Sequence, residues 1–142
     1  MLVRCLYASR ASVPLQAHAL EDILAQSRRN NPKQGITGLL LFANGIFVQV
    51  IEGSRYEISR LLAKIVRDER NTDVEILSHE EITERCFGIW TMGQANMTSI
   101  NPALLLKYSE KAELDPFKCN SSATMALLIE IAGSGTVANR PS

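Results

Sequence analysis

The alternation of apolar and polar positions divides the chain into short elements. Residues 2–9, LVRCLYAS, alternate as a strand, with Val3, Cys5, Tyr7 and Ser9 on one face and Leu2, Arg4, Leu6 and Ala8 on the other. Residues 14–29 carry helical spacing, with Pro14 near the first turn and Leu20, Ile23, Leu24 and Ser27 along one side. A stop is expected near Asn30-Asn31-Pro32, because proline disfavours helix at the residue before it. The next segment, GITGLLLFANGIFVQVIEG (35–53), gives the clearest local signal. Asn44-Gly45 between two apolar runs predicts a two-residue hairpin turn that pairs Ala43 with Ile46, Phe42 with Phe47 and Leu40 with Gln49. Paired residues point the same way, so Leu40, Phe42, Phe47 and Gln49 share one face and Leu39, Leu41, Val48 and Val50 the other. Both faces are apolar, so both need cover.

A second helix is expected over 55–68, with Ile58, Leu61, Leu62, Ile65 and Val66 on its apolar side and Asp68 just beyond it. Two further strands are expected, Asp73 to Ile82 and Gly88 to Met97. The order β-α-β-β-α-β-β predicts an α+β sandwich with both helices on one sheet face. Beyond Asn101-Pro102 the pattern changes to two short helices, 102–112 and 122–132, the second opened by Ser121-Ser122 as N-cap candidates. These helices are expected to cover the face of Leu39, Leu41, Val48 and Val50, which otherwise lies open to a partner. MALLIEI (125–131) is apolar on more than one side, which points to a self-assembly or partner interface. GSGTVANRPS (133–142) reads as a flexible tail.

Composition narrows the function classes. Hydrophobic residues make up 46% and charged residues 21% of 142, which suits one globular domain. Lys+Arg and Asp+Glu are equal at 15 each, so no overall basic field recruits nucleic acid or an anionic membrane. Arg28-Arg29 with Lys33 reads as a solvated helix end. The absence of a signal pattern or a long apolar span gives a cytoplasmic expectation. Cys5, Cys86 and Cys119 fit neither a disulfide framework nor a zinc pattern and read as reduced, mostly buried thiols; no metal site is expected.

The candidate chemistry comes from polar residues in apolar places. Tyr7 and Gln49 fall on a helix-facing side of the sheet, and Ser27 and Asn31 continue the line of Ile23 down the first helix. With Ile65 and Asp68 on the second helix, a hydroxyl, two amides and a carboxylate converge on a gap walled by isoleucines. Each has an ordinary reading: a satisfied core tyrosine, an amide bonded to a neighbouring strand, a helix stop, a solvated helix end. Trp90 and Met92, two residues apart, are core fillers on the same terms. Together they need partners, since an unmet buried polar group costs roughly 1–3 kcal/mol. A planar heteroaromatic ligand would supply them: carboxamides match adjacent carbonyl and N–H groups on a ring edge, and branched aliphatics suit its faces.

Four stretches carry a family resemblance: LYASRAS (6–12), SRRNN (27–31), GITGLLLFANGIFVQVIEG (35–53) and ERCFGIWTMG (84–93). In this order and spacing the chain resembles, over about residues 2–97, a BLUF domain, the blue-light sensor that binds flavin adenine dinucleotide (FAD). The resemblance implies a ferredoxin-like sandwich, with the flavin ring between the two helices. It implies that Tyr7 is the photochemical electron and proton donor and Gln49 the amide linking it to the flavin. Asn31 would bond the pyrimidine edge, with Ser27 and Asn30 close by. Ile23 and Ile65 would flank the ring, with Leu40 and Phe47 lining the pocket. Asp68, with Lys64 or Arg67, would contact the more polar part of the cofactor. Trp90 and Met92 would be the switch pair near Gln49. After excitation Gln49 would end rotated or tautomerised, the absorption would move to the red, and the dark state would return thermally. Two positions depart from the family pattern: Asn71 follows Arg70 where many members have histidine, and Asn30 replaces a histidine found in some.

The resemblance divides the chain into a flavin-binding domain (1–98), a C-terminal helical extension (99–132) and the tail (133–142). It implies a photoreceptor rather than an enzyme, signalling through the last strand and the C-terminal helices to a downstream effector protein, and a homo-oligomer. A cyclic-dinucleotide enzyme or a transcriptional regulator is the partner suggested by family analogy. Two competing classes remain. For an enzyme, Ser9, His79 and Cys86 are candidates without motif spacing, and no P-loop or dinucleotide fingerprint is present. In a flavin-free ferredoxin-like interaction module, Tyr7 and Gln49 would merely satisfy each other.

Overall fold

The Asn44-Gly45 turn sets the centre of the sheet. Both residues adopt left-handed backbone, φ 52° and 75°, the geometry of a type I′ hairpin. They join β2 (Thr37–Ala43) to β3 (Ile46–Ser54) in the expected register, with Leu40 opposite Gln49 and Phe42 opposite Phe47. This is a computed structural model that describes residues 1–12, 17–89, 91–95, 100–134 and 137–138, with side chains throughout except at 17–19 and 137–138. Strand β1 (Leu2–Ala11) pairs antiparallel with β3, placing Tyr7 opposite Gln49, and with β4 (Asn71–Ile82) on its other side. Strand β5 (Gly93–Ala95) joins β2 in parallel, and β6 (Val137–Ala138) pairs antiparallel with β5. The sheet order is β4-β1-β3-β2-β5-β6.

Helices α1 (Ala17–Gln34) and α2 (Arg55–Arg67) cover one face, where Leu24 and Ile58 pack with Val3, Cys5, Leu40, Phe47, Ile51 and Met92. Helices α3 (Pro102–Tyr108) and α4 (Ser121–Gly133) cover the other. There Leu105, Leu127, Leu128 and Ile131 pack on Leu39, Leu41, Val48 and Val50, so the second apolar face is covered within the chain. The architecture is the ferredoxin-like α+β sandwich with two added helices.

Several boundaries differ from expectation. Helix α1 passes through Pro32 and ends at Gly35, whose φ of 67° closes a Schellman motif: Ile36 N–H bonds Asn31 O at 2.9 Å, and Gly35 N–H bonds Pro32 O at 3.3 Å. Proline in this last turn forfeits only the bond to the Arg28 carbonyl. Of the strand expected over 88–97, the described residues form Gly93–Ala95, and before it side chains of other elements take the N–H groups of Cys86 and Phe87 and the carbonyls of Thr91 and Met92. Helix α3 stops at Tyr108, capped by Ser109, and the N-cap of α4 is Asn120, whose Oδ1 accepts from Ala123 N–H at 2.7 Å. Val66 is exposed rather than part of the apolar side of α2. Cys5 is buried and Cys119 half-buried, but Cys86 is exposed beside Arg4; all three are free. Within the expected tail, Val137–Ala138 form β6. Pro14, Trp90, residues 96–97, 135–136 and 139–142 lie outside the described residues.

One buried ion pair fixes the segment after β4. Glu52 is fully buried on the α4 side of β3 and accepts from Arg4 Nε at 2.7 Å. Its carboxylate also takes Cys86 N–H at 3.0 Å and Phe87 N–H at 2.7 Å. Arg85 reaches back across the sheet end to Thr37 Oγ1 at 2.8 Å and Gly35 O at 2.7 Å. Removing one member of such a pair strands the other charge. Glu52→Ala is therefore expected to lower unfolding free energy by about 3–5 kcal/mol in denaturant melts. A loss below about 0.5 kcal/mol, the range of ordinary surface substitutions, would show that the pair is dispensable.

Candidate functional site

Between α1, α2 and the sheet lies a cleft of about 380 Å³, large enough for a sizeable ligand. Helix α1 contributes Ile23, Gln26, Ser27, Asn30, Asn31, Lys33 and Gln34, a stripe that repeats every three or four residues. Helix α2 contributes Leu61, Lys64 and Ile65, followed by its C-cap Asp68 and then Arg70 and Asn71. Tyr7, Leu40, Phe47 and Gln49 form the floor. The structure thus brings together every residue singled out for the cofactor except Arg67, which is exposed and does not line the cleft. Ile23 and Ile65 stand on opposite helices.

The floor carries a buried polar chain. Tyr7 donates its hydroxyl to Gln49 Oε1, and Gln49 Nε2 donates to Met92 Sδ at 3.0 Å. All three side chains are buried. Burial pushes the Tyr7 pKa well above its ordinary value, and the nearby Asp68 carboxylate acts in the same direction. Tyr7 therefore stays a protonated donor throughout the physiological range.

Helix α1 holds the segment that delivers Met92. Asn31, itself buried, donates Nδ2 to Thr91 O at 2.9 Å, and Arg28 donates Nε to Met92 O at 3.2 Å. Arg28 is thus partly buried against this segment rather than part of a solvated helix end, whereas Lys33 is exposed in the last turn of α1 at the edge of the cleft. Ser27 returns its hydroxyl to Ile23 O at 3.1 Å, and Asn30 sits at the exposed rim.

At the far end of the cleft, Arg70 chelates Asp68. Nη2 lies 2.5 Å from Oδ2, Nε is 3.0 Å from Oδ1, and Arg70 N–H adds a bond to Oδ1 at 2.9 Å. This side-chain bonding holds the Asp68 carboxyl below the usual range, against the opposing effect of its partial burial. Asp68 caps the negative end of the α2 dipole, where a carboxylate is unfavourable, and this cation offsets it. Asn71 ties β1 to α2, accepting from Ser9 Oγ at 3.1 Å and donating to Ile65 O at 3.4 Å.

Sequence reading missed Gln26, Lys33, Gln34, Leu61, Arg70 and Asn71. Gln34 is one helical step beyond Asn30 and Asn31, and was hidden by ending the helix at Pro32. Leu61 precedes Ile65 by four and shared its face already. Arg70 lies in the irregular backbone after α2 and Asn71 opens β4, so neither falls on a helical stripe. Among the described residues, no group of three His, Cys, Asp or Glu side chains could hold a metal ion, and no helix is long and apolar enough to cross a membrane.

The BLUF family model, described as "Sensors of blue-light using FAD", matches residues 2–93. The chain belongs to the BLUF family. It is 36% identical over 90 residues to a photoactivated adenylate cyclase subunit beta-like protein of Euglena gracilis, covering 63% of this chain and 10% of that one. The chain therefore spans about a tenth of the length of the curated relatives it matches. Among solved structures, the photo-activated state of BlsA superposes with a TM-score of 0.84 at 29% identity, covering 96% of this chain and 98% of that one. The dark-state structure of BlrB, a BLUF protein, gives 0.79 at 29% identity, with 94% and 96% covered. The BLUF match includes α1, α2 and the floor strands, so the cleft lies wholly inside it.

The cleft suits the family's cofactor on its own chemistry. An isoleucine from each helix lines it, apolar walls suited to a flat ring, and amides at Asn31 and Gln49 offer paired donor and acceptor edges. Lys33 and Lys64 supply positive charge toward an anionic tail. The Asp68–Arg70 pair makes a stability prediction with a definite sign. A carboxyl held low contributes stability above its unfolded value, near pH 4, which is lost as pH falls through the lower folded value. Arg70→Met abolishes that contribution, so its stability deficit relative to wild type is expected to shrink between about pH 6 and pH 3 in thermal melts. A deficit constant with pH would separate Asp68 from Arg70.

Proposed function

We propose that this BLUF chain is a blue-light photoreceptor whose switch is the buried Tyr7–Gln49–Met92 chain, and that it signals through β5 and the C-terminal helices to an effector protein. The observation that carries this reading is the position of that chain on the cleft floor, with Tyr7 opposite Gln49 on paired strands. Bound FAD would supply blue-light absorption and an electron-accepting excited state. Ile23 and Ile65 would flank its ring, and Asn31, with Ser27 and Asn30 near, would take its polar edge. Lys64 and Asp68 would meet the more polar part, with Arg70 in the place first considered for Arg67.

Tyr7, held protonated by burial, would give its electron to the excited flavin and its proton to Gln49 Oε1, the acceptor already in hydrogen-bond contact. Gln49 has one acceptor edge and one donor edge. If its amide turns over, Nε2 faces Tyr7 and the oxygen faces Met92, and a thioether has no hydrogen to give. Turning over thus breaks the bond to Met92 Sδ, and Met92 registers the orientation of Gln49. Trp90, its partner in the switch, stands two residues before it in the same segment.

Beyond Met92, β5 pairs with Leu39–Leu41, and Ala95 packs with α3 and α4. Leu106 on α3 and Ile129 on α4 are 54% and 46% exposed, which supports docking of an effector or of a second copy there. Cyclase activity belongs to the Euglena relatives; the partner read for this chain is an effector protein.

The test is an absorption spectrum of the purified protein before and after blue light. A yellow protein with a reversible red shift is expected, and Tyr7→Phe or Gln49→Leu should keep the flavin and abolish the shift. No flavin after reconstitution would instead favour the flavin-free interaction module. Flavin without any shift in the wild type would remove Tyr7 and Gln49 from the mechanism.

A further inference from the structure

The segment from Cys86 to Met92 is held at both ends by side chains. Glu52 fixes its beginning through Cys86 and Phe87 N–H groups, and α1 fixes its end. At that end Met92 is engaged twice: its sulfur accepts from Gln49 Nε2 at 3.0 Å, and its carbonyl accepts from Arg28 Nε at 3.2 Å. Arg28 Nη2 is buried and has no hydrogen-bond partner, the single such side-chain atom among the described residues. A buried N–H of a cation left without an acceptor is costly, and burial depresses the Arg28 pKa accordingly. The guanidinium fork therefore meets one carbonyl and holds a second donor in reserve.

We propose that Arg28 is a positioning residue, a latch that fixes the Thr91–Met92 backbone to α1 in the dark and gains its second hydrogen bond when that segment moves after illumination. The proposal rests on the photoreceptor reading above. Once Gln49 withdraws its N–H from Met92 Sδ, the carbonyl of Met92 is the remaining tie between this residue and the site. A shift of the backbone along the planar fork brings a carbonyl to Nη2 while Nε keeps a partner. The dark position has one donor unmet and the displaced position has both met, so Arg28 prolongs the lit state. Lysine cannot replace it, because a single ammonium does not present two donors in a fixed plane.

The experiment measures the light-induced red shift and the rate of dark recovery in Arg28→Met, Arg28→Lys and the exposed control Arg29→Met. Both Arg28 variants are expected to bind flavin and show the full red shift but recover about tenfold faster, the effect of one buried donor losing its acceptor. Arg29→Met should recover at the wild-type rate. Recovery in the Arg28 variants within about twofold of wild type, or slower than it, overturns the latch. Loss of flavin or of the red shift in both overturns it as well, by making Arg28 part of the binding site. Should Arg28→Met fail to fold, Arg28→Lys decides. A wild-type protein without flavin or shift overturns the photoreceptor reading itself, a result that the variants' recovery rates cannot mimic.

Discussion

A carboxamide in the middle of an apolar sheet face is the constraint around which the rest is arranged. Gln49 sits on β3 between Val48 and Val50, on the face that otherwise offers Leu40 and Phe47. An amide there needs partners, and an unmet group costs roughly 1–3 kcal/mol. Two are provided: the Tyr7 hydroxyl, brought opposite by strand register, and the Met92 sulfur, brought by a segment far along the chain. The second is a weak acceptor. Gln49 is thus satisfied strongly on one edge and weakly on the other, the asymmetry that the proposed exchange of partners requires.

Delivering Met92 explains much of the surrounding polar structure. A β-ladder would have satisfied the backbone of residues 86–92 but held it in one register. Here the N–H groups of Cys86 and Phe87 go to Glu52, and the carbonyls of Thr91 and Met92 go to Asn31 and Arg28. Every one of these partners belongs to an earlier element, so the segment is tied to β3 and α1 by side chains rather than to a neighbouring strand. Side-chain ties can be exchanged one at a time, whereas a ladder moves as a unit. Asn31 is the most economical of them, since it lines the cleft and also bonds Thr91 of this segment.

The same arrangement decides what was legible in the sequence. The hairpin register could be read because Asn44-Gly45 fixes it locally, and from it followed both sheet faces and the place of Gln49. The stripe of Ile23, Ser27 and Asn31 and the pair Ile65 and Asp68 followed from helical spacing. The end of α1 was misread because Pro32 is a strong local signal, yet Gly35 at positive φ closes the helix three residues later. Residues 88–92 were read as strand because their apolar content fits one, and nothing local reveals that distant side chains occupy their backbone groups. Arg70 illustrates the converse: its tie to Asp68 is local in sequence but depends on irregular backbone, which periodicity cannot detect.

The two hydrophobic clusters of the molecule meet at one place that can move. They lie on opposite faces of the sheet, and the central strands separate them through long antiparallel ladders. Strand β5 is different: only three residues long, it follows directly on Met92, which belongs to the cleft-side cluster, and it ends at Ala95, which belongs to the cluster beneath α3 and α4. A displacement of Met92 along the chain therefore arrives within three residues at the opposite face of the sheet. Strands β1 and β3, each nine or ten residues long and paired on both sides, offer no such route. Packed interiors resist continuous deformation, so a small rearrangement leaves through the least-constrained element. On the signalling reading proposed above, that element is β5, and α3 and α4 pack against Ala95 at its end.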